Sequence, residues 1–323
     1  MLSIVRNKTL KSIRFPLSCL EDAYGRRVTS LRLSVTQQCN LKCFYCHKEG
    51  EISPSNEMTP EEIGRLVAIA GEMGMRKLKI TGGEPLVRED ISEVIEACCP
   101  HIEEISLTTN GILLSEKAHE LKKAGLNRVN ISLDTLDREI YRSISGVDGL
   151  DMVLKGIDGA LEADLTPIKL NMVLMKGLNH DHVEELIRFS GEKGVILQII
   201  ELETSKERLE SGFYQKYHFD LFELEEDLRS RAERIVSREM HHRMKYFLPT
   251  EVEVVRPMHN PEFCAHCNRL RVTSDGKLKP CLLSNDGLVD AVSPMREGMD
   301  DDHIRDLFRR TVENRKPYWM EED

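Results

Sequence analysis

Apolar residues recur along the first part of the chain with two alternating periods. Leu31-Arg32-Leu33-Ser34-Val35 alternates as a strand does. Ile63, Leu66, Val67, Ala70 and Met73 then follow at helical spacing. Ahead of them, Thr59-Pro60-Glu61-Glu62 offers an N-cap, a proline at the first helical position and a glutamate three residues after the cap. Gly74 closes that helix. The alternation predicts a strand over Leu78 to Thr81, a helix over Ile91 to Cys99 and a strand over Glu104 to Leu107. A helix from Ser115 to Ala124 ends at Gly125, and Arg128 to Ile131 is the next strand. A helix over Leu150 to Ala163 leads to a strand over Ile168 to Val173. Asp181-His182-Val183-Glu184 caps another helix, which leads past Gly194 to a strand over Val195 to Ile200.

About six strand–helix units of this kind mean parallel strands joined by helical crossovers. They are too few for a closed eight-stranded barrel. The expected architecture is α/β, a partial (β/α)6 TIM-like barrel over residues 29–202, preceded by an N-terminal extension over 1–28. After Glu201 the pattern changes. Residues 203–245 are highly charged and predict one amphipathic helix from Asp220 to Val236, whereas Met244 to Leu282 reads as β-rich. Within it, Ser274-Asp275-Gly276-Lys277 is a two-residue hairpin signal. Residues 203–323 thus form a C-terminal region of different character, with a solvated end at Glu321-Glu322-Asp323.

Composition narrows the function. Hydrophobic residues make up 40% and charged ones 31% of 323 residues, which allows a packed core and excludes disorder. A net charge of -10 argues against broad nucleic-acid binding, which needs excess positive charge. It leaves room for a small basic pocket around one phosphorylated ligand. No apolar run approaches the ~20 residues that span a bilayer. Met1 to Phe15 lacks the sustained apolar stretch of a secretory signal. A cytoplasmic protein without nucleic-acid or membrane partners is expected.

Nine cysteines in a reducing compartment are ligands or buried thiols rather than disulfides. Cys39, Cys43 and Cys46 form one group and Cys264, Cys267 and Cys281 another. Cys98 and Cys99 read as buried helix residues, and Cys19 has no assigned role. Three thiolates within eight residues, in the loop after the first strand, can wrap one side of a cubane iron–sulfur cluster and leave one iron open. A zinc site closed by His47 is the alternative. In the second group, a turn at Asp275-Gly276 sets Ser274 against Lys277 and Cys281 against Leu270, so the three thiols can converge. Iron–sulfur and zinc, with His259 or His266 as the fourth ligand, both fit that set. Arg269 and Arg271 share one face of a strand, where two planar guanidiniums suit phosphate oxygens.

The spacing Cys39-x3-Cys43-x2-Cys46, with Phe44-Tyr45 before its last cysteine, resembles the signature of the radical S-adenosylmethionine (SAM) enzymes. Thr81-Gly82-Gly83-Glu84-Pro85, one unit further on, resembles the segment that binds the SAM amino group in that family, with two glycines to let a ligand approach the backbone. Thr108-Thr109-Asn110-Gly111 and Ser132-Leu133-Asp134 follow the third and fourth strands. The resemblance implies a barrel of the radical SAM type with a C-terminal β-rich auxiliary-cluster extension. It implies two [4Fe-4S] clusters on the six grouped cysteines, and SAM at Tyr45, Gly82, Gly83, Glu84 and Ser132. The second cysteine set joined to Asn268-Arg269-Leu270-Arg271 is similar to that of the GTP 3′,8-cyclase family of molybdenum cofactor biosynthesis. GTP would then meet Arg32, Lys77, Lys79, Thr108, Lys169, Arg269, Leu270 and Arg271. In that family a deoxyadenosyl radical takes hydrogen from C3′ of the ribose, and the carbon radical closes onto C8 of the guanine.

Such an enzyme implies a low-potential electron donor and a downstream cyclic pyranopterin monophosphate synthase; a homodimer is one allowed assembly. The sequence departs from the family pattern at Gln37-Gln38, at His47-Lys48-Glu49-Gly50, at Glu201-Leu202-Glu203 in place of a SAM-contacting methionine, and at its end, which has no Gly-Gly pair. Two other readings stand beside this one: a radical SAM enzyme acting on a peptide, and a zinc-stabilised nucleotide-binding module.

Overall fold

The computed structural model describes residues 20–51 and 56–320. Most of the expected N-terminal extension, Cys19 and the expected solvated end Glu321-Glu322-Asp323 lie outside the described residues. Six strands stand side by side in chain order, all parallel: β1 (Ser30–Ser34), β2 (Lys77–Thr81), β3 (Glu104–Thr109), β4 (Arg128–Ser132), β5 (Lys169–Leu174) and β6 (Ile196–Glu201). The crossovers are α1 (Pro60–Glu72), α2 (Ile91–Cys98), α3 (Leu114–Ala124), the pair α4 (Arg138–Ser145) and α5 (Leu150–Glu162), and α6 (Val183–Lys193). Thr59 and Glu62 form the expected capping box on α1, and Gly125 and Gly194 end α3 and α6 in the left-handed conformation.

Alternation along the strands decides the two faces. Leu31, Leu33, Leu78, Ile80, Leu107 and Ile131 are buried in the core. The intervening positions, Arg32, Lys79, Ser106, Asn130, Asn171 and Gln198, line a cavity instead. A parallel sheet covered on both faces is ordinarily apolar on both. Here the second face is polar, as a binding cavity requires.

After β6 come α7 (Gly212–Tyr217), α8 (Phe222–Arg231) and an antiparallel ladder of β7 (Arg234–Ser237), β8 (Met244–Phe247) and β9 (Glu251–Val255). α9 (Pro261–Ala265) leads to β10 (Arg269–Val272), then to β11 (Lys277–Lys279), β12 (Val289–Asp290), α10 (Val292–Arg296) and α11 (Asp301–Glu313). β9 lies parallel beside β6 and β10 parallel beside β1. The C-terminal region therefore adds one parallel strand to each edge of the six. The barrel stays open because β9 and β10 turn their outer edges to β8 and β11 rather than to each other.

Several expectations are corrected. The helix expected over Asp220 to Val236 stops at Arg231, and Ile235 enters a strand against Tyr246. α4 went unforeseen, although Asp137 caps it through Ile140 N and buries Tyr141 and Ile144. His182, not Asp181, precedes α6, and it makes no side-chain cap. The hairpin is longer by one residue: Thr273 pairs with Lys277 around Ser274-Asp275-Gly276, with Arg271 opposite Lys279. Gly276, at φ 83°, takes the left-handed position of a three-residue loop, and Thr273 Oγ1 ties down Asp275 and Lys277 N. Cys98 is buried as expected, but Cys99 caps the end of α2 and is exposed.

Candidate active site

The first thiol trio occupies the loop after β1. Leu41 N and Lys48 N each donate to a sulfur, of Cys39 and Cys46 respectively, at 3.4 Å. Burial, and then the charges of Asp134, Cys46 and Cys39, push the Cys43 thiol up to about 12. Such a thiol becomes a good ligand only when a metal takes its proton's place. The second trio sits on α9, on the residue before β10's approach, and just beyond β11.

Compactness separates the metals. Tetrahedral zinc holds its sulfurs about 3.8 Å apart, given a Zn–S bond near 2.3 Å. Among the described residues, only His242, Glu262 and His266 bring three ligand atoms within 4.8 Å of one another, so neither trio is that tight. Thiols more widely spread suit a four-iron cluster. The candidate closing histidines are also engaged elsewhere. His266 Nδ1 lies 3.0 Å from Glu262 O and its ring stacks on His242, while His259 packs on Trp319. The stacked rings of His242 and His266 are only 16° from parallel, so their lone pairs do not converge on one ion.

The chain supplies positive charge around the second trio. Arg26 donates to Cys264 O at 3.0 Å and Arg315 to Cys267 O at 2.8 Å, with buried Asp22 against both guanidiniums. Burial would raise the Cys267 pKa, but Arg315, Arg269 and Arg26 outweigh it and lower it. Arg26 Nη2, Arg269 Nε and Arg315 Nε are buried without an acceptor. An anionic iron–sulfur cluster, with sulfides and thiolates as acceptors, fits these orphaned donors. Trp319 N adds a bond to Cys264 Sγ at 3.4 Å.

A cavity of about 290 Å³ lies on the polar face of the sheet, and all three thiols of the second trio line it. Arg32, Lys77, Lys79, Thr108, Lys169, Arg269 and Arg271 reach its wall, as expected. Leu270 does not. Its side chain alternates to the opposite face of β10 and is fully buried in the core, so only its backbone is left to meet a ligand. Lys77 is the most peripheral of the cations, more than half exposed and 3.7 Å from Glu104. Arg128, Arg238 and Arg243 also line the cavity and were missed. Arg128 was legible, since it alternates with Asn130 on β4. Arg238 and Arg243 flank a 3-10 turn and carry no periodic signal.

The two trios share open space. Tyr45 and His47, from the first loop, stand in the wall of the cavity. A wider recess of about 1300 Å³ shares Tyr45, His47, Cys281 and Tyr318 with it and takes in Cys46. Cys46 and Cys281 therefore border one continuous opening.

The residues expected around SAM engage the first loop and the ends of β3 and β4. A Cβ on Gly82 would meet Thr36 O at 2.4 Å, and one on Gly83 would meet Gln38 O at 2.2 Å. The chain's own first loop fills the space next to these glycines, with Gly83 N bonded to Thr36 O and Glu84 N to Gln38 O. Glu84 is buried, and its carboxyl accepts from Leu86 N, Thr109 Oγ1 and Asn110 N. Burial pushes its pKa up to about 7 against those three bonds. Tyr45 donates to Asp134 Oδ2 at 2.7 Å, linking the loop to the end of β4. Gly82, Gly83, Glu84 and Ser132 border neither of the two openings described.

Comparison with known proteins agrees with this layout. The Radical SAM superfamily matches residues 33–190, and the family described as Molybdenum Cofactor Synthesis C matches residues 195–321. A protein of Thermococcus kodakarensis named "Probable GTP 3',8-cyclase" is 52% identical over 306 residues, covering 93% of this chain and 99% of its own. One of the same name from Archaeoglobus fulgidus is 48% identical over 309 residues, covering 93% and 99%. Among solved structures, Streptococcus suis SuiB bound to S-adenosylmethionine superposes with a TM-score of 0.65 at 18% identity, over 90% of this chain and 77% of that one, a likeness of fold.

Proposed function

The chain belongs to the GTP 3′,8-cyclase family of radical SAM enzymes, and we propose that the cavity beside its second thiol trio is where GTP is held. The enzyme cyclises GTP to (8S)-3′,8-cyclo-7,8-dihydroguanosine 5′-triphosphate, a lyase step early in molybdenum cofactor biosynthesis. Its cofactors are SAM and two [4Fe-4S] clusters. Cys39, Cys43 and Cys46 would hold the first cluster, which together with bound SAM would supply the radical chemistry that removes the C3′ hydrogen of the ribose.

We assign Cys39, Cys43 and Cys46 to the first cluster and Cys264, Cys267 and Cys281 to the second. Tyr45, Gly82, Gly83, Glu84 and Ser132 are assigned to the SAM side. Gly82 and Gly83 hold the first loop close, and Glu84 fixes the turn at Asn110. Arg32, Lys77, Lys79, Lys169, Arg269 and Arg271 are assigned to the triphosphate and Thr108 to the nucleoside. One observation carries the reading: these cations, gathered in a chain of net charge -10, line the same cavity as the second trio. Glu49 and Glu253 already balance part of this charge. Lys79 has no carboxylate partner among the described residues, and the Nε donors of Arg32 and Arg269 are buried without an acceptor, which leaves capacity for an anion. The protein's task is then alignment of C3′, where a misplacement of about 1 Å can cost about a hundredfold in rate.

In this reading residues 29–202 form the SAM barrel and 203–323 carry the second cluster. It further calls for a low-potential electron donor and for a cyclic pyranopterin monophosphate synthase to take the product, in the cytoplasm, with a homodimer as one allowed assembly. No helix among the described residues is long and apolar enough to cross a membrane.

Anaerobic reconstitution is expected to load about eight iron and eight sulfide per chain. With SAM and reductant, 5′-deoxyadenosine should form faster with GTP than without it or with other nucleoside triphosphates. An equal rate with and without GTP would refute the substrate assignment, and two zinc atoms without sulfide would refute the chemistry.

A further inference from the structure

Arg32 on β1 and Arg271 on β10 are direct register partners on adjacent parallel strands. Both guanidiniums line the cavity and both are largely buried. Like charges so placed repel unless something divides them. Glu49 does so. Its Oε1 accepts from Arg32 Nη2 at 2.5 Å and its Oε2 from Arg271 Nη1 at 2.9 Å. The Glu49 side chain is only 11% exposed and does not belong to the cavity wall itself. Each guanidinium spends one donor on Glu49 and keeps others for an anion. Burial would raise the Glu49 pKa, but Arg32 and Arg271 outweigh it and hold it at about 2, so the carboxylate is ionised at any working pH.

The position of Glu49 in the chain gives this contact a second consequence. It stands three residues after Cys46, in a segment that adopts unusual backbone. Lys48 at φ 49° and Glu49 at φ 52° are both left-handed without being glycine, a conformation that costs roughly 1 kcal/mol or more per residue. Neighbouring bonds hold the segment there. Gly50 O accepts from Lys279 Nζ at 2.7 Å, and Glu51 accepts from Ser274 N and Oγ. Ser274 and Lys279 belong to the β10–β11 hairpin, which runs on to Cys281. The loop of the first trio is thus fastened to the strand pair of the second, and the central fastening is the carboxylate between two cavity arginines.

We propose that Glu49 is a positioning residue that holds Arg32 and Arg271 in place for the substrate triphosphate and couples occupancy of that anion site to the loop carrying Cys46. The inference rests on the reading of the cavity as the GTP site. A triphosphate drawing on the same two guanidiniums shifts their hold on Glu49, and with it the first loop. By reciprocity, whatever GTP does to that loop, the loop does to GTP affinity.

The test uses the fully reconstituted holoenzyme and the substitution Glu49→Gln, which keeps shape and removes charge. KM for GTP is expected to rise about tenfold or more, the usual scale for losing one member of a buried charged set, with SAM affinity nearly unchanged. Stimulation of SAM cleavage by GTP should fall. Binding of guanosine, which has no phosphates, should not change. A wild-type or lower KM in Glu49→Gln would overturn the proposal, as would equal losses for GTP, guanosine and SAM, which mark a merely structural role. If Glu49→Gln does not load both clusters, Glu49→Asp takes its place. Its shorter carboxylate reaches one guanidinium but not both, so KM for GTP should rise again, and an unchanged KM would overturn the proposal. Wild-type holoenzyme that ignores GTP would refute the reading of the cavity and this inference together. A GTP-dependent wild type with an indifferent Glu49 variant would refute this inference alone.

Discussion

The ammonium of Lys169 is bonded to the carboxylate of Glu253, and Glu253 is completely buried. Lys169 therefore enters the cavity wall already partnered, not as a free cation. Arg238 also donates to Glu253, at 2.9 and 3.1 Å, and Arg243 lies 4.0 Å away. Lys245 stands 3.7 Å from the same carboxylate, so one glutamate on β9 lies among four cations, three of which line the cavity. It lets them be packed together without a ligand.

Glu253→Gln should therefore be among the most damaging single changes outside the cysteines. Removing one side of a buried ionic set costs about 3–5 kcal/mol, because the remaining charges keep their desolvation penalty. Burial would raise the Glu253 pKa, but Lys169, Arg238 and Arg243 outweigh it and hold it at about 2. The sign follows from the folded pKa lying below the unfolded value near 4.5. Stabilisation by this carboxylate is fully present above pH 4.5 and is lost as pH falls toward 2. Urea midpoints of wild type and variant should thus differ clearly at neutral pH and converge as pH falls below about 4.5; near pH 8 the gap also carries the titration of Lys169, whose pKa burial lowers to about 8 against the pull of Glu253. A gap that persists undiminished from about pH 4.5 down to about pH 2 would show that another group is responsible.

Lys79 is the contrasting case. It stands in the cavity wall with Arg32 as its direct neighbour on β1, and has no hydrogen-bonded or ion-paired carboxylate among the described residues. Burial, then Arg128, Arg32, Arg269 and Lys169, push its pKa well below the ordinary lysine value. Lys79→Met removes a repelled charge and keeps the length of the side chain. Without nucleotide the variant should melt at or above the wild-type temperature. GTP affinity should nevertheless fall about tenfold, the loss expected for one charge-assisted phosphate contact. Function and stability move in opposite directions at such a site. Calorimetry with and without GTP reads both, and a variant that loses stability and affinity together would contradict the account.

The phenol of Tyr45 offers a test on the SAM side. Its bond to Asp134 fixes the first loop against β4, while Asp134 Oδ1 accepts from Val173 N at 2.8 Å. Tyr45→Phe leaves the carboxylate half satisfied, at a cost of about 1–3 kcal/mol. SAM binding should weaken more than GTP binding, since Asp134 and Ser132 share the segment that ends β4. Equilibrium binding of each ligand to the variant checks this, and equal weakening would place Tyr45 outside the SAM side.

Much of this arrangement was legible in the sequence because period-two alternation fixes which residues share a face. That rule put Arg269 and Arg271 together, and applied strictly it sends Leu270 to the core. It would also have exposed Arg128, two residues before Asn130. It could not reveal Glu253, which looks like any charged residue of a β-rich stretch until β9 pairs with β6. Nor could it reveal Asp22, Arg26 and Arg315, whose meeting depends on tertiary packing alone. The glycines of Gly82-Gly83 were noticed for the right property, close approach, but what approaches is the loop ahead of Cys39. Glu49 carried no signal beyond its departure from the family pattern, because a carboxylate between two arginines is visible only once β1 and β10 lie side by side.

The hairpin between β10 and β11 links sequence to chemistry most directly. Gly276 takes φ 83°, and a Cβ there would meet Val292 Cγ2 at 2.0 Å, far inside contact distance. Gly276→Ala must therefore both strain the turn and displace α10. The three-residue loop sets Arg271 against Lys279, and that register in turn places Cys281 near Cys264 and Cys267. A shift by one residue would turn Cys281 to the other face of the hairpin. The variant should accordingly lose the second cluster before the first. Iron after anaerobic reconstitution should fall from about eight to about four per chain, with SAM still bound. Cys281→Ser should give the same iron count without the thermal destabilisation. If Gly276→Ala instead retains a full complement of iron, the turn does not control the position of Cys281.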